Sequence, residues 1–518
     1  MARKWWTLLV ACVGSFMLLL DVTIVNVALP QIERDLDASL TDLQWVIDAY
    51  VLALASLTLI AGSLGDRLGR RRIFVGGLTL FTLASLLAGF ATDPFQLDLA
   101  RALQGIGGAG MFGTVLALIA QEFPAGERAV ALGAWGATVG AAVAVGPLVG
   151  GLVVEELGWE WIFFINIPIG AVALALTLAR VDESRESRRG RLDWPGVATL
   201  AGGLFLLVFG LQRGNGEGWS SPEIVMALAG AGALLVAFVA IELVRAEPLM
   251  DVRLFRIPAF AGASLGALAI SAGLFAMLLY FVLYLQNVLG HSPLETGVRL
   301  LPITLAAFFF APLAAKLAER VPLRIFLGGG LAIIGAGLLA MRGLDANSEW
   351  TALLVGFLLV GAGAGLVNPT LAEAAIGVVP RERAGVATGI NNTFRQIGIA
   401  VGIALLGALF QGQVEAKHDD TLATGPPAVR PLAGDLAEAV ALGNTETALG
   451  RAPEGTQGFV ATASREAFVS GLNEILLVAA AVALAGAVLS FLLVRPRDFR
   501  RDELEEVSEA EPAFDLAA

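Results

Sequence analysis

Long apolar runs, separated by short polar segments, recur along the whole chain. About fourteen of them are roughly 20 residues long, and they lie near 6–29, 44–64, 73–92, 97–120, 129–154, 160–180, 194–213, 223–243, 259–286, 298–318, 323–341, 351–371, 386–410 and 471–494. A helix of about 20 residues spans the roughly 30 Å hydrocarbon core of a bilayer. The pattern therefore predicts an all-α integral membrane protein with about fourteen transmembrane helices. The first run is too long for a signal-peptide core and lacks a small-residue cleavage site, so we expect it to remain as the first helix.

Composition supports a location in the membrane and argues against several classes of enzyme. Of the 518 residues, 57% are hydrophobic and 15% are charged, whereas soluble proteins contain about 25% charged residues. None of the lysines follows a glycine, as a phosphate-binding loop requires. Two histidines and one cysteine are too few for an ordinary zinc site or for a disulfide within the chain. We therefore expect no enzyme activity, no metal, no cofactor and no nucleic-acid partner.

Arginines are concentrated in alternate loops. With the N-terminus inside, the cytoplasmic loops hold the arginines of segments 67–72, 185–191, 253–256 and 381–383, and the C-terminal tail holds more. The short loops on the other side hold only Arg34, Arg213 and Arg342. This is the positive-inside asymmetry of membrane proteins. It predicts a multi-pass protein of the cell (inner or cytoplasmic) membrane with both termini in the cytoplasm.

Two pairs of similar segments indicate an internal repeat. RRIFVGG at 71–77 matches LRIFLGG at 323–329, at an offset of 252 residues, and GIGGAG at 105–110 matches GAGAGL at 361–366, at an offset near 256. That spacing corresponds to eight helices, although each half accounts for six. Internal repeats of this kind are common in secondary transporters. We therefore predict a six-helix bundle at 1–192, two inserted linker helices at 193–250, a second six-helix bundle at 251–495 and a cytoplasmic tail at 496–518.

Two segments do not fit the repeat. The inserted helices carry few polar residues within the membrane, apart from Gln212 and Glu242 near their ends, and we interpret them as lipid-facing spacers. Segment 411–470 is extracytoplasmic in this topology, acidic, and rich in Gly, Ala and Pro. We interpret it as a flexible surface loop, with a partner-docking element as the alternative. Residues 432–449 within it have the periodicity of a loose amphipathic helix.

Four motifs lie in order along the first half. They are LDVTIVNVALP at 20–30, GSLGDRLGRRR at 62–72, RALQGIGGAG at 101–110 and GAAVAVGPLVGG at 140–151. Glycines allow close helix approach and tight turns, and a proline kinks a helix. The motifs resemble the signatures of the major facilitator superfamily, in particular of its fourteen-helix branch of drug:proton antiporters, and the resemblance extends over essentially the whole chain. Ala142 departs from the family pattern, in which a glycine is frequent.

The resemblance implies a gating or structural role for segment 62–72 and for the middle of helix 5. In the first segment, the aspartate can cap helix 3 or bind an arginine of the opposing bundle, and the arginines anchor at the level of the lipid phosphates. A plain membrane anchor explains the arginines but not the spacing of the glycines and the aspartate. The residues concerned are Gly62, Gly65, Asp66, Arg67, Gly69, Arg70, Arg71, Gly146, Pro147, Gly150 and Gly151.

An acidic residue lies deep in the first helix. Asp21 is about 12 Å below the outer face, and Asp48 and Arg101 are about 6 Å below it, at 1.5 Å per residue. A charge at the centre of a bilayer costs at least about 2.5–3.5 kcal/mol, so we expect these side chains to pair. Together with Gln104, one turn deeper than Arg101, they predict a polar cluster that couples transport to protons. The alternative is a static ion pair that holds helices 1, 2 and 4 together, while Asp48 reaches the interface.

The second half contains another polar set. TGINNTFRQIG at 388–398 opens helix 13, and Gln286 ends helix 9. Arg395 lies about 12 Å deep by the same count, so it faces a cavity or another helix and not lipid. We interpret it either as a structural contact or as a contact to the substrate or gate. The predicted substrate-cavity residues are Asn26, Gln286, Asn391, Asn392, Arg395 and Gln396.

Together these features predict a proton-coupled antiporter that exports amphipathic drugs or antibiotics by alternating access. Its expected partners are the small substrate, protons and the lipid bilayer, and a single chain is expected to suffice. The same machinery would also serve an exporter or flippase of a lipid or a secreted metabolite. A membrane scaffold without transport is a further alternative, which the intact motifs disfavour.

Overall fold

Helices account for the regular structure. The computed structural model of the protein describes residues 3–123, 125–184, 193–245, 248, 250–318, 320–379, 384–423, 425–429, 440, 450, 452–453 and 455–499. No β-strand occurs in these ranges. Helices suit a lipid environment, because lipid offers no partner for a backbone N–H or C=O and a helix pairs these groups within one segment.

Seven helices form the first part of the chain. They are α1 (Arg3–Leu36), α2 (Leu40–Leu68), α3 (Arg70–Gly89), α4 (Pro94–Glu122), α5 (Ala125–Leu157), α6 (Trp161–Phe164) and α7 (Asn166–Arg180). Side-chain caps define two of the starts: Ser39 and Asp42 form a capping box at α2, and Asp93 caps α4. The short α6 and α7 together make one span, Trp161–Arg180.

The inserted helices and the second half follow. The inserted pair is α8 (Trp194–Glu217) and α9 (Pro222–Val244). The second half contains α10 (Pro258–Ile270), α11 (Met277–Leu283), α12 (Pro293–Ala318), α13 (Leu323–Ala340), α14 (Leu354–Ile376), α15 (Ala384–Ala423) and α16 (Gln457–Leu493). Two π-helical turns, Ser271–Phe275 and Tyr284–Val288, flank α11, and 3₁₀ turns occupy Val252–Arg256, Trp350–Leu353 and Pro496–Asp498.

The number of spans agrees with the hydrophobic pattern. Among the described residues, 13 helical segments are long and apolar enough to cross a membrane. α5 is a further helix, of 33 residues. The prediction of an all-α membrane protein with about fourteen helices is thus confirmed.

Two regions differ in detail from the pattern. The run at 259–286 is a single span, Pro258–Val288, but two π-turns interrupt its regular helix. α15 continues to Ala423 and α16 begins at Gln457, so both extend into segment 411–470. They do so because an apolar stripe continues on each helix, where Val414 and Val460 are buried. The predicted amphipathic helix at 432–449 lies outside the described residues except for position 440.

The internal repeat recurs in the packing of the helices. A Cβ atom at Gly77 of α3 would lie 3.0 Å from the carbonyl carbon of Gly110 in α4. One at Gly330 of α13 would lie 3.0 Å from the carbonyl oxygen of Gly363 in α14. Gly330 and Gly363 lie 253 residues after Gly77 and Gly110, close to the offsets of the matched segments but not in their register, so both halves contain a similar close glycine contact. The boundaries of the two bundles stay a prediction.

The two inserted helices have different surroundings. α9 packs mainly on α8 and exposes apolar side chains such as Val236 and Val244. α8 also packs against α2 of the first half and α15 of the second, and its Gln212 is 3% exposed. The interpretation of both helices as lipid-facing spacers is therefore wrong for α8, whose Gln212 and Asn215 bond to neighbouring helices that supply the partners lipid lacks.

Candidate functional site

A buried carboxyl in α1 lies at the centre of a hydrogen-bond network. Asp21 is 2% exposed. Its Oδ2 is 2.5 Å from Arg101 Nη1, and its Oδ1 accepts hydrogen bonds from Gln104 Nε2 at 3.2 Å and Asn166 Nδ2 at 3.1 Å. α1, α4 and α7 therefore meet at one carboxyl. The arrangement can hold Asp21 as an anion, because an arginine and two amides donate to it.

Arg101 is also held by groups other than Asp21. Its Nε donates to the backbone oxygen of Val46 at 2.9 Å, and its Nη1 donates to Gln104 Oε1 at 2.8 Å. The guanidinium carbon lies 4.3 Å from the centroid of the Tyr50 ring, a cation–π contact. Arg101 therefore has contacts to α2 and within α4 that do not depend on Asp21.

Ser85 and Asn166 complete the network, and both are absent from the residues predicted from the sequence. Ser85 Oγ accepts from Gln104 Nε2 at 2.6 Å and from Asn166 Nδ2 at 3.1 Å. A signal for Asn166 exists, since it is an amide inside the apolar run WIFFINIPIG at 161–170, where an unpaired amide is costly. Ser85 carries no comparable signal, because a serine can bond to its own helix.

Asp48 lies at a different junction. It is fully buried, and its Oδ2 accepts a hydrogen bond from Gln212 Nε2 at 2.8 Å. Gln212 belongs to the inserted helix α8, so this partner cannot be found by comparing depths within the first six helices. The structure thus brings together Asp21, Arg101 and Gln104, and holds Asp48 between α2 and α8.

An apolar cavity lies between the two halves. It is lined in part by α1, the helix that also carries Asp21 of the network. α1 and α5 form one wall, and the π-turn at Ser271–Phe275 with α11, α12 and α14 forms the other. The polar side chains in the lining are Thr23, Asn26, Thr304 and Asn368. Asn368 Oδ1 is buried and has no hydrogen-bond partner in the described part of the chain, so it can accept a bond from a ligand.

The residues predicted for a substrate cavity are distributed over several places. Asn26 lines the cavity. Gln286 Nε2 donates to the backbone oxygen of Val27 at 2.9 Å, where it joins the two halves. Asn391 Nδ2 donates to the backbone oxygen of Ala263 at 3.3 Å, within the second half.

The remaining three predicted residues lie on α15 and are partly buried. The guanidinium carbon of Arg395 is 5.8 Å from the centroid of the Phe275 ring, and Phe275 lines the cavity. Asn392 and Gln396 are neighbours of Arg395 on the same helix, and none of the three lines the cavity directly. Their contact with a substrate stays a prediction.

Segment 62–72 forms the tight connection between α2 and α3. Gly69 has a φ of +117°, which favours glycine, and its amide donates to Gly65 O at 3.0 Å. A Cβ atom at Gly62 would lie 3.1 Å from Gly113 O, and one at Gly65 would lie 2.7 Å from Thr114 Cγ2. The glycines therefore allow α2 and α4 to approach closely at this end.

The arginines of this segment bond within the first half. The Arg70 amide donates to Ser184 O at 2.8 Å, the Arg71 amide donates to Glu183 Oε1 at 3.2 Å, and Arg71 Nη2 donates to Leu178 O at 2.6 Å. Arg67 is partly buried, and the side chain of Asp66 lies outside the described residues. A gating role for the segment stays a prediction.

The glycine–proline motif of α5 touches both halves. A Cβ atom at Gly150 would lie 3.2 Å from Ile24 Cα in α1, and one at Gly151 would lie 2.8 Å from Leu294 Cα in α12. Pro147 lies inside the helix and lines the cavity, and Gly146 faces α1. The small residues thus let α5 fit between α1 and α12.

Several hydrogen bonds between the two halves lie at one end of the molecule, where α5 ends and α12 begins. This end is opposite to the one that holds the termini. Ser292 Oγ and the Leu294 amide both donate to Glu155 Oε2, at 2.6 Å and 3.0 Å. Leu294 is in the first turn of α12, so Glu155 lies at the positive end of that helix. Asn287 Nδ2 donates to Glu33 Oε2 at 3.0 Å. The two halves are therefore closed at this end.

No group of three or more potential metal ligands occurs in the part of the chain that the structure describes. One histidine, His291, lies in the connection before α12, with Nδ1 3.4 Å from Glu295 Oε2. Burial, and then the charge of Arg299, lowers the pKa of the His291 imidazole below its ordinary value. The ring is therefore neutral near pH 7.

Comparison with known proteins agrees with this architecture. Residues 11–403 match the model of the Major Facilitator Superfamily. The chain is 36% identical to a tetracenomycin C resistance and export protein of Streptomyces glaucescens, over 94% of this chain and 91% of that protein. It is also 36% identical to the multidrug resistance protein Stp of Mycobacterium tuberculosis, over 81% of this chain and 78% of that protein.

A solved structure has the same fold. It is that of a bacterial homolog of the human lysosomal transporter Spinster in an inward-facing and occupied conformation, with a TM-score of 0.64, 16% identity, and coverage of 97% of this chain and 99% of that chain. At this identity the likeness concerns the fold alone. The family match, the long alignments to export proteins and the cavity between two halves agree with one another. This chain is a multi-pass membrane transporter, not an enzyme, and it belongs to the Major Facilitator Superfamily.

Proposed function

We propose that this protein is a proton-coupled antiporter that exports amphipathic drugs or antibiotics by alternating access. The character of the cavity supports this substrate class, since its lining is apolar apart from a few hydroxyl and amide groups. Relatives named for tetracenomycin C export and for multidrug resistance support it as well. A lining of this kind suits ligands with a large apolar surface and a few hydrogen-bonding groups.

The observation that carries the proposal is the position of the Asp21 network on the helix that lines the cavity. Asp21 precedes Thr23 and Asn26, which line the cavity, by less than two helical turns. A change of charge at Asp21 therefore acts on the same rigid segment that contacts a substrate. Buried ionisable residues of transmembrane helices commonly form proton pathways.

A proton on Asp21 would change how α1 is held. The anion accepts from Arg101, Gln104 and Asn166, whereas the neutral acid loses the charge-assisted bond to Arg101. Arg101 keeps its bonds to α2 and α4, so α1 is the element released. Inward proton movement down the membrane potential supplies about 2.3 kcal/mol per charge per 100 mV, which drives the export step.

The remaining predicted site residues have proposed roles outside the Asp21 network. We assign Asp48 a further proton-linked role, and we assign Arg395 and its neighbours Asn392 and Gln396 contacts to larger substrates through the Phe275 side of the cavity. Gln286 and the glycine–proline motif of α5 are assigned to the closure between the halves. Segment 62–72 is assigned to the gate at the opposite end.

We further propose that both termini are cytoplasmic and that one chain suffices. The arginine asymmetry supports this orientation. In it, the closed end faces outward. One chain supplies every residue of the network and of the cavity, so a nanodisc that holds a single copy should retain substrate binding.

A secreted natural product is the second candidate substrate. The relatives include a cephamycin export protein of Amycolatopsis lactamdurans, 35% identical over 77% of this chain and 83% of that protein. An exporter of a metabolite made by the same cell would use the same cavity and the same proton site. The two candidates differ in substrate and not in mechanism.

Export can be tested in a bacterial host that lacks its main efflux pumps. Cells that express the protein should accumulate less of a lipophilic dye, and should survive higher concentrations of antibiotics, natural products included, than cells with an empty vector. Collapse of the proton gradient with an uncoupler should restore accumulation within minutes. Unchanged accumulation across a broad panel of compounds, with the protein present in the membrane, would refute drug export, and uncoupler-resistant export would refute the proton coupling.

A further inference from the structure

The pair formed by Asp48 and Gln212 is a polar contact in the interior that is separate from the Asp21 network. Asp48 is 0% exposed and Gln212 is 3% exposed. Gln212 Nε2 donates to Asp48 Oδ2 at 2.8 Å. Among the described residues Asp48 has no ion pair, in contrast to Asp21, which has Arg101. A buried carboxylate with one neutral donor is costly, so the neutral acid is favoured here.

The unpartnered atoms of this pair indicate where a proton belongs. Asp48 Oδ1 and Gln212 Oε1 are both buried and have no hydrogen-bond partner within the described residues. A carboxylic acid and a primary amide can form two hydrogen bonds: the amide N–H donates to one acid oxygen, and the acid O–H donates to the amide oxygen. The first bond is present. A proton on Oδ1 would supply the donor that both oxygens lack.

The helix that carries Gln212 also contacts the other half of the transporter. Asn215 Nδ2 donates to the backbone oxygen of Ala408 in α15 at 2.6 Å. Gln212 and Asn215 are three positions apart, so they lie on neighbouring parts of one face of α8. The rings of Trp45 in α2 and Phe205 in α8 also meet, with centroids 5.5 Å apart. α8 therefore joins α2 of the first half to α15 of the second.

We propose that Gln212 is a positioning residue for the Asp48 carboxyl and that the pair is a latch operated by a proton. When Asp48 binds a proton from solvent, its O–H donates to Gln212 Oε1, and the two-bond pair holds α2 on α8. When the proton leaves, the second bond is lost, a buried anion remains with one neutral donor, and α2 separates from α8. Through the Asn215 contact to α15, this step changes the relation between the halves. The use of the latch in export rests on the function proposed above.

Few other ionisable groups adjoin the pair. The residues of α15 that contact α2 and α8 near the pair are Gly407 and Ala408, and their side chains carry no charge. The ionisable side chains on the remaining helices that pack here are Asp42 and Tyr50 on α2, Asp98 and Arg101 on α4, Tyr280 on α11, and Arg213 on α8. Arg101 is bound to Asp21, and Tyr280 carries no positive charge and accepts a hydrogen bond from Gln44 Nε2 at 3.2 Å, so neither neutralises Asp48.

The latch can be tested by a distance measurement that needs no substrate. Spin labels at Thr41→Cys, at the start of α2, and at Ser220→Cys, just after α8, would report the α2–α8 separation in the Cys12→Ser protein in nanodiscs. We expect one narrow distance at pH 5.5. As the pH rises to 9, we expect this population to be lost in favour of a longer or broader one, because Asp48 loses its proton.

Two substitutions at the latch and one control make the outcome decisive. Asp48→Asn can form the same two bonds with Gln212, so the narrow distance should persist at every pH. Gln212→Leu removes both bonds at similar size, so the narrow population should be reduced at pH 5.5 and its dependence on pH should be lost. Arg213→Gln changes the adjacent, half-exposed charge and should behave like the starting protein.

Two results would overturn the proposal. One is a pH-dependent distance that survives in Asp48→Asn, an isosteric change whose folding is checked by size-exclusion chromatography. The other is a Gln212→Leu protein whose distances follow those of the starting protein across the pH range. Because neither measurement requires export, failure of the latch leaves the proposed antiport intact, and failure of antiport in the efflux assay leaves the latch measurable.

Discussion

Asp21 occupies a depth at which an isolated charge costs at least about 2.5–3.5 kcal/mol. The cost is offset by Arg101 and by two amides, and these donors come from α4 and α7. Removal of one member of a buried ion pair costs about 3–5 kcal/mol when the other charge remains. Here Arg101 retains a backbone carbonyl, an amide oxygen and an aromatic face, so loss of the Asp21 charge is better tolerated. Neutralisation of Asp21 should therefore leave the protein folded.

Asp21→Asn should abolish export driven by a pH gradient. The amide keeps the size of the side chain but cannot exchange a proton, so it mimics only the neutral state. In proteoliposomes, substrate-induced proton flux normalised to folded protein should fall at least about tenfold, equivalent to about 1.4 kcal/mol or more. Substrate binding, measured by fluorescence, should survive because Asp21 does not line the cavity.

Asp21→Glu is the matched control for this prediction. It retains a titratable carboxyl but moves it by one methylene, so partial activity with a displaced pH optimum is expected. A purely structural ion pair would give another pattern: Asp21→Asn would melt at a lower temperature, yet its folded fraction would exchange protons for substrate at the normal rate. Such a result would transfer the coupling role to Asp48.

At this scale the sequence predicts depth, which places Asp48 level with Arg101 and Asp21 about 6 Å deeper, all in the first half. The long Arg101 side chain bridges this difference, and the structure joins it with Asp21 and Gln104. Asp48 does not bond to this set, because its partner Gln212 lies 164 residues away on an inserted helix. The depth of a residue along a helix can be calculated from its number. The direction in which its side chain points, and the helix that it meets there, depend on tertiary packing.

Among the elements, the repeated glycine pairs show how helix contacts are encoded. Gly76 and Gly77 are adjacent in α3, and Gly329 and Gly330 are adjacent in α13, one residue past the register of the match between 71–77 and 323–329. A Cβ atom at Gly77 would lie 2.6 Å from Gly107 O, and one at Gly330 would lie 2.6 Å from Val367 Cγ2. At Gly76 and Gly329 a Cβ atom would meet nothing within 4 Å. One glycine of each pair therefore serves close packing and the other does not.

Gly77→Ala and Gly330→Ala should each destabilise the protein, by about 1–3 kcal/mol, because the added methyl group forces a packed helix pair apart. Gly76→Ala and Gly329→Ala should leave stability unchanged or raise it by up to about 1 kcal/mol, since alanine favours a helix more than glycine does. Thermal unfolding in detergent, followed by size-exclusion chromatography, provides the measurement. Equal melting temperatures within each adjacent pair would contradict the repeated contact.

The positions of the membrane-spanning helices can be predicted from hydrophobic periodicity, but the π-turns and the extensions of α15 and α16 cannot. Apolar runs of adequate length predict the spans, but nothing in the run at 259–286 marks the two π-turns that flank α11. The first turn contributes Leu274 and Phe275 to the cavity lining, and that position is a property of the assembled bundle. The extension of α15 and α16 past the membrane is similar, because their apolar stripes become significant only when the two helices pack on each other.

For the whole molecule, the contacts between the halves define one closed end. Glu155 binds the start of α12, Glu33 binds Asn287, and Gly151 lets α5 meet α12. Glu155 accepts from a hydroxyl and a backbone amide, which are neutral donors, so these hydrogen bonds can break without separating full charges. Alternating access requires this end to open once in every cycle.

A reversible link across the closed end should therefore stop export. Ser292 Oγ and Glu155 Oε2 are 2.6 Å apart, so cysteines at Glu155 and Ser292, in the Cys12→Ser protein, can be joined by a short bifunctional methanethiosulfonate. A reagent that does not cross membranes should react from outside intact cells or spheroplasts, in agreement with cytoplasmic termini. Export should fall to the level of cells without the protein and should recover after dithiothreitol, because the linked halves cannot separate at this end. The two single-cysteine proteins, treated alike, should retain export.

Full export after complete linkage would mean that this end does not open during transport. A reaction that occurs only in inverted vesicles would mean that the whole molecule has the opposite orientation in the membrane.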